Sequence, residues 1–287
     1  MTTENNSSKS PSIAVVGSVN LDIVASVKQF PEPGETVTNA VVNRFPGGKG
    51  ANQALAACRL GAKVYLVACL GNDPVADEAL VNLVEAGVDL AYCQRLDGSS
   101  TGLALILVSE EGENQIVVAP GANAAFSPER LAIPDTDAVI AQLEVPLATI
   151  LQAAQREKCF FCLNAAPAKP VPADLLEHVD LVVVNEIEAR TMGHSLDGYQ
   201  GLLATTFGSR GAQLSRAGEV IARATPPRVE VVDTTGAGDA FTAALTVGLV
   251  GGQAHQTALQ RACVAGALTT TKMGAQSSPA SPLPELD

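Results

Sequence analysis

Short, nearly unbroken apolar runs recur along the chain, and segments with helical spacing lie between them. Residues 12–17, 63–70, 138–143, 159–163 and 181–184 are such runs, the pattern of parallel strands covered on both faces. Residues 202–206 form one more. The segment after Asp73-Pro74 carries the opposite signature. A capping aspartate, a proline at the first helical position, Ala76, Leu80, Leu83 and Val84 on one face, and Gly87 as a stop predict a helix between them. Strands alternating with helices predict a three-layer α/β sandwich around a mostly parallel central sheet. No repeat or linker divides residues 12–287, so a single domain is expected.

Two stretches break the alternation. Residues 21–24 and 35–42 flank Pro31-Glu32-Pro33-Gly34, and residues 101–108 and 114–119 flank Glu110-Glu111-Gly112-Glu113, a hairpin signal. Neither leaves room for a helix. They predict four antiparallel strands in a small β lid, within segments 20–46 and 99–120, placed over a ligand cleft.

Composition narrows the function classes. Of 287 residues, 47% are hydrophobic and 17% charged, too apolar for a disordered chain and enough for a sizeable core. Lys and Arg number 18 against 30 Asp and Glu, a formal net charge of −12, which argues against a nucleic-acid partner. The most apolar stretch, 240–250, is broken by Thr242, Thr246 and Gly248, so no membrane span is expected. Residues 1–11 are polar and predict a flexible tail without the apolar stretch of a signal peptide. Cys159 and Cys162, two of six cysteines, form a C-x-x-C inside a strand-like run with no second pair of ligands. They predict plain core thiols in a reducing cytoplasm.

Three glycine-rich motifs carry candidate chemistry. Pro46-Gly47-Gly48-Lys49-Gly50-Ala51-Asn52-Gln53-Ala54 opens a helix with Ala51, Ala54, Leu55 and Cys58 on one face. Its glycines let backbone approach a ligand, its first N–H groups are free, and Lys49 and Asn52 suit hydroxyl groups. It is not a Walker sequence, since Lys49 precedes the last glycine. Asp233-Thr234-Thr235-Gly236-Ala237-Gly238-Asp239 lies between an expected strand at 229–232 and an expected helix from about Gly238 to Val250. The small residues open a helix start to a developing phosphoryl charge. Asp239 in the first turn is placed to take the proton of an attacking hydroxyl. Thr206-Phe207-Gly208-Ser209-Arg210-Gly211 is a strand end and turn, weak alone.

Together with Gly17-Ser18-Val19-Asn20-Leu21-Asp22, Gly121-Ala122-Asn123, Leu163-Asn164-Ala165-Ala166-Pro167-Ala168, Asn185-Glu186 and Gly274-Ala275-Gln276, these motifs resemble the ribokinase-like family of carbohydrate kinases. They stand in family order over residues 12–278. The form Gly-Gly-Lys-Gly-Ala-Asn-Gln-Ala is associated with the ribokinases, whereas adenosine-kinase and ketodeoxygluconate-kinase relatives vary it. The resemblance implies that Asn20, Asp22, Gly48, Lys49, Gly50, Asn52 and Glu144 bind the sugar. It makes Asp239 the base, with Gly236, Ala237 and Gly238 as the anion hole. It assigns ATP and its magnesium to Asn185 and the 206–211 turn (Thr206, Gly208, Ser209 and Gly211), and ATP also to Gly238, with Cys263 beside adenine where relatives carry His or Asn. Asp233, Thr235, Thr269, Lys272, Gly274 and Ser278 match a potassium loop.

The implied reaction is ATP-dependent phosphorylation of D-ribose at its primary hydroxyl. Alternatives are another small sugar, such as deoxyribose or a ketohexose, and a sugar-binding homologue without turnover. The resemblance also implies a homodimer joined through the lid. In relatives the stretch matching 185–201 is a longer two-helix excursion, and a further helix follows where this chain has residues 281–287. One short helix over 186–192 is expected here, with a more open adenine pocket.

Overall fold

The computed structural model describes residues 10–284; residues 1–9 of the tail expected at 1–11 and the last three residues lie outside them. The first half runs β1 (Ser12–Val16), β2 (Asn20–Ser26), β3 (Val41–Gly47), α1 (Lys49–Arg59), β4 (Lys63–Gly71), α2 (Pro74–Ala86), β5 (Asp89–Leu96), β6 (Gly102–Val108) and β7 (Asn114–Ala119). The second runs β8 (Ala138–Gln142), α3 (Leu147–Ala154), β9 (Phe160–Asn164), α4 (Ala173–Leu176), β10 (Leu181–Asn185), α5 (Glu186–Met192), β11 (Leu202–Thr206), β12 (Ala212–Arg216), β13 (Glu219–Ala224), α6 (Ala237–Val250) and α7 (His255–Thr269).

Nine strands form the central sheet in the order β13-β12-β11-β10-β9-β8-β1-β4-β5. Every pair from β11 to β5 is parallel, and only the β11-β12-β13 edge is antiparallel. Apolar residues on successive positions feed two separate cores. α1, α2, α6 and α7 cover one face of the sheet, and α3, α4 and α5 cover the other. The expected three layers form. The helix at Pro74 is bounded as its caps require: Asp73 accepts from the Ala76 N–H at 3.0 Å, and Gly87 turns left-handed at φ 81°. Residues 186–192 hold the short helix expected, opened by a capping box between Asn185 and Glu188 and followed by a 3-10 turn at Gly193–Leu196.

The lid differs from its expected form in two ways. Its order is β3-β2-β6-β7, and the outer pairs are antiparallel hairpin partners while the central β2–β6 seam is parallel. Its second strand lies at Val41–Gly47, not at 35–42. Asn39 is left-handed at φ 70°, which ends the Pro-rich connection, and pairing of Gly47 with Asn20 fixes the register from there. Residues 229–232 form no strand either. Val231 and Val232 are exposed, and the N–H groups of Val232 and Asp233 both donate to the Thr270 carbonyl. β5 and the β12–β13 edge had no counterpart in the sequence pattern.

No helix among the described residues is long and apolar enough to cross a membrane. All six cysteines are free thiols.

Candidate active site

The C-terminal ends of β1, β8 and β9 meet the first turns of α1 and α6, the place where open α/β sheets hold ligands. α1 begins at Gly48, whose φ of 88° and close neighbours (a Cβ there would lie 2.7 Å from the Asn20 nitrogen) admit only glycine. α6 begins at Gly236, left-handed at φ 80°, where a Cβ would lie 2.2 Å from the Ala275 carbonyl. First-turn N–H groups have no intrahelical partner. Around the Gly238 Cα, nothing stands within 4 Å of a side-chain position, so the start of α6 opens onto free space.

Asp239 sits in that first turn, 5% exposed. Its Oδ2 accepts from Asn52 Nδ2 at 2.9 Å and its Oδ1 from Gln53 Nε2 at 2.8 Å. Burial raises its acid above the ordinary carboxylate value; the Lys49 ammonium and the two amide donors act against that. Lys49 lies among four carboxylates, and Asp239 foremost, then Glu144, Glu188 and Asp22, holds its ammonium above the usual value against the cost of burial. Asp22 is pushed up to about 7, by burial first and then by Glu144 and Asp239. Glu144 Oε2 accepts from Ser18 Oγ at 2.5 Å and from the Lys49 N–H at 3.1 Å. Asn20 is held by Asn123 Nδ2 at 2.8 Å. The candidate sugar residues thus come together around Lys49 and Asp239.

The candidate nucleotide residues form a looser group. Asn185 and Thr206 are register partners at the ends of β10 and β11. Gly208, Ser209 and Arg210 make an exposed turn closed by Gly211, with Arg210 paired to Glu186 at 2.5 Å. Cys263 is buried under β13, its thiol pushed up to about 11 by that burial and its Sγ 3.8 Å from the Ala224 carbonyl.

The candidate cation loop is partly assembled. Asp233 Oδ1 accepts from the Thr235 N–H and hydroxyl at 2.9 and 2.7 Å, and Oδ2 from the Gly274 N–H at 2.8 Å. Lys272 is exposed, the Thr269 hydroxyl turns back to the Ala265 carbonyl, and the Ser278 hydroxyl faces Arg59. The hydroxyl at the loop is that of Ser277, which donates to the Thr269 and Gly274 carbonyls.

The model of the pfkB family of carbohydrate kinases matches residues 10–282. The chain belongs to that family. A ribokinase of Bacillus subtilis is 36% identical to it over 283 residues, covering 92% of this chain and 94% of that one. A deoxyribokinase of Salmonella typhi is 33% identical over 291 residues, covering 93% and 94%. The structure of Arabidopsis thaliana ribokinase complexed with ribose and ATP superposes with a TM-score of 0.85 at 30% identity, over 95% of this chain and 96% of that one.

Six further residues of this pfkB kinase border the site, and sequence reasoning gave none of them a role: Ser18, Gln53, Asn123, Gln142, Asn164 and Glu188. Glu188 spends Oε2 on the Asn185 N–H at 2.7 Å, and burial raises its acid. Ser18, Gln53, Asn123, Asn164 and Glu188 fall in or beside motifs already quoted for the resemblance, so their position was a usable signal. Gln142 offered none, being one polar residue at the end of an apolar run.

Proposed function

We propose that this kinase transfers the γ-phosphoryl group of ATP to the primary hydroxyl of D-ribose, releasing ADP and D-ribose 5-phosphate. The observation that carries the reading is Asp239, a buried carboxylate in the first turn of a helix whose start faces open space. The hydroxyl oxygen attacks phosphorus, its proton passes to Asp239, and the bond to the β-phosphate oxygen breaks. The N–H groups at Gly236, Ala237 and Gly238 offset charge on the phosphoryl oxygens. Asn20, Asp22, Gly48, Lys49, Gly50, Asn52 and Glu144 hold the sugar hydroxyls. Asn52 Oδ1 is buried without a partner, which suits an acceptor kept for one of them.

Asn185, Thr206, Gly208, Ser209 and Gly211 line the ATP side, with Cys263 as a neutral wall near the base. Four carboxylates around one lysine make an acidic setting for a triphosphate, and magnesium carried in with ATP would neutralise charge between its phosphates. Asn185 and the 206–211 turn would be the groups to meet it. The 233–278 loop offers oxygen donors, among them the Asp233 carboxylate and the Thr269 and Gly274 carbonyls, a set suited to a hard cation. Potassium there would order the start of α6 through shared backbone. On the lid, Val41, Val42, Leu105, Ile116, Val117 and Val118 are all about half exposed or more, which supports pairing of two lids in a homodimer. The free thiols suit a reducing compartment such as the cytoplasm.

The test is ADP release with ribose, deoxyribose, fructose and adenosine in turn. Ribose is expected to give the highest kcat/KM. A clear preference for deoxyribose, the reading favoured by the deoxyribokinase relative, would replace ribose as the substrate. Silence with every sugar would leave a binding protein.

A further inference from the structure

Behind Asp239 lies a run of buried amides that binding of sugar or nucleotide does not account for. Gln53 and Gln142 are fully buried and Asn164 is 6% exposed. Asn164 and Gln142 are register partners on β9 and β8, and Gln53 reaches them from α1. Asn164 Nδ2 donates to the Val183 carbonyl at 3.3 Å, which turns its Oδ1 toward Gln53. Gln53 Nε2 donates to that Oδ1 at 3.0 Å and to Asp239 Oδ1 at 2.8 Å. Gln142 Nε2 donates to Gln53 Oε1 at 2.7 Å. Both ends of the Gln53 amide are therefore fixed. Turned over, it would set oxygen against oxygen at Asn164 and Asp239, and N–H against N–H at Gln142. The backbone makes room for this arrangement, since a Cβ on Gly17 would lie 2.1 Å from Gln142 Oε1.

We propose that Gln53 is a positioning residue for phosphoryl transfer: gripped by Gln142 and Asn164, it presents an N–H to Asp239 Oδ1 that keeps the base charged and its carboxylate plane fixed. The proposal rests on Asp239 being the base. The charged groups that face Asp239 are Lys49 from the start of α1, Glu144 beyond β8, Asp22 on β2 and Glu188 on α5. Lys49 is the one cation among them, and it is shared by four carboxylates. A carboxylate buried to this degree stays ionised only with directed donors. Asn52 supplies one and is also a sugar contact; every partner of Gln53 is protein.

The experiment follows kcat of the full chain against pH at saturating ribose and MgATP, where titration of Asp22 in sugar binding drops out. Losing a donor to the charged form raises the acid, so the rate falls at low pH and returns at high pH. In Gln53→Met the acid limb is expected to move up by about one pH unit, which cuts the rate on that limb about ten-fold. The ribose dissociation constant should stay near that of the parent protein. Gln142→Met, which frees the Gln53 amide to turn without touching Asp239, should shift the limb the same way by less, and it carries the test alone if Gln53→Met does not fold. A limb superimposed on the parent's, or an equal loss at every pH, would overturn the proposal. Asp239→Asn run alongside separates the two readings. Near-normal turnover there removes the base itself, whereas an inactive Asp239→Asn with an unmoved limb in the glutamine variants removes only the relay.

Discussion

The two halves of the cleft are built differently. On the proposed sugar side, buried and half-buried polar side chains hold one another: Asn20 with Asn123, Ser18 with Glu144, Asn52 and Gln53 with Asp239. On the nucleotide side, Asn185, Gly208, Ser209 and Arg210 are exposed, and the turn is closed by backbone, with the Phe207 N–H donating to the Gly211 carbonyl at 2.8 Å. The ion pair that spans this side, Arg210 with Glu186, lies in solvent, where such pairs add little. On the proposed assignment, the sugar half would be set in geometry before a ligand arrives, and the nucleotide half would recognise through main chain and turn shape. Selectivity is expected to follow the same division.

The largest effect should come from the base. Asp239→Asn is expected to cut turnover by about two to four orders of magnitude while ribose binding persists, because the amide still hydrogen-bonds the hydroxyl; isothermal titration beside steady-state kinetics checks both. Next is Gly102→Ala. A Cβ there would lie 2.2 Å from Asn20 Oδ1 and 2.4 Å from Asn123 Nδ2, so this sugar contact must move. The KM for ribose should rise about ten-fold or more with the KM for ATP unchanged; an equal rise in both would erase the contrast between the halves.

Asp22 gives a pH signature. With its acid near 7, it is protonated below that pH and charged above it. A charged carboxylate accepts more strongly from sugar hydroxyls, so the KM for ribose should fall as pH rises through 7, and Asp22→Asn should flatten the change. Smaller again is the cation effect. Rates in potassium should exceed rates in sodium at matched ionic strength if the Asp233–Gly274 contact transmits ion binding to α6. Smallest is nucleotide choice. With one short helix between Asn185 and β11, Michaelis constants for ATP and GTP should differ little beside a sharp discrimination among sugars. Strict ATP selectivity would show that the exposed turn shapes its pocket after all.

Much of this was legible in the sequence, and for identifiable reasons. α2 announced itself because Asp73, Pro74 and Gly87 each satisfy a local backbone need. The inner strands did so because burial on both faces leaves unbroken apolar runs. β5 was hidden by its mixed burial, and β12 and β13 by lying at an edge where one face is wet. Residues 229–232 misled because three valines resemble a strand, although pairing with a neighbour, which a local pattern does not show, is what makes one. At the site, the charged and glycine-rich positions stood out as motifs. Gln53 was in view inside its motif, but its partners come from β8 and β9, and only the folded sheet brings Gln142 and Asn164 to it.

The parallel seam of the lid has a consequence for how the molecule is assembled. The β2–β3 and β6–β7 hairpins are joined through α1, β4, α2 and β5, so their seam closes most cheaply once that intervening chain has been wound onto the central sheet. Each hairpin alone is a marginal structure in water, and the closure that unites them spans a long loop. The lid is thus expected to be the last thing the first half of the chain completes. It carries no independent fold of its own: what covers the cleft is a by-product of the body having folded correctly beneath it.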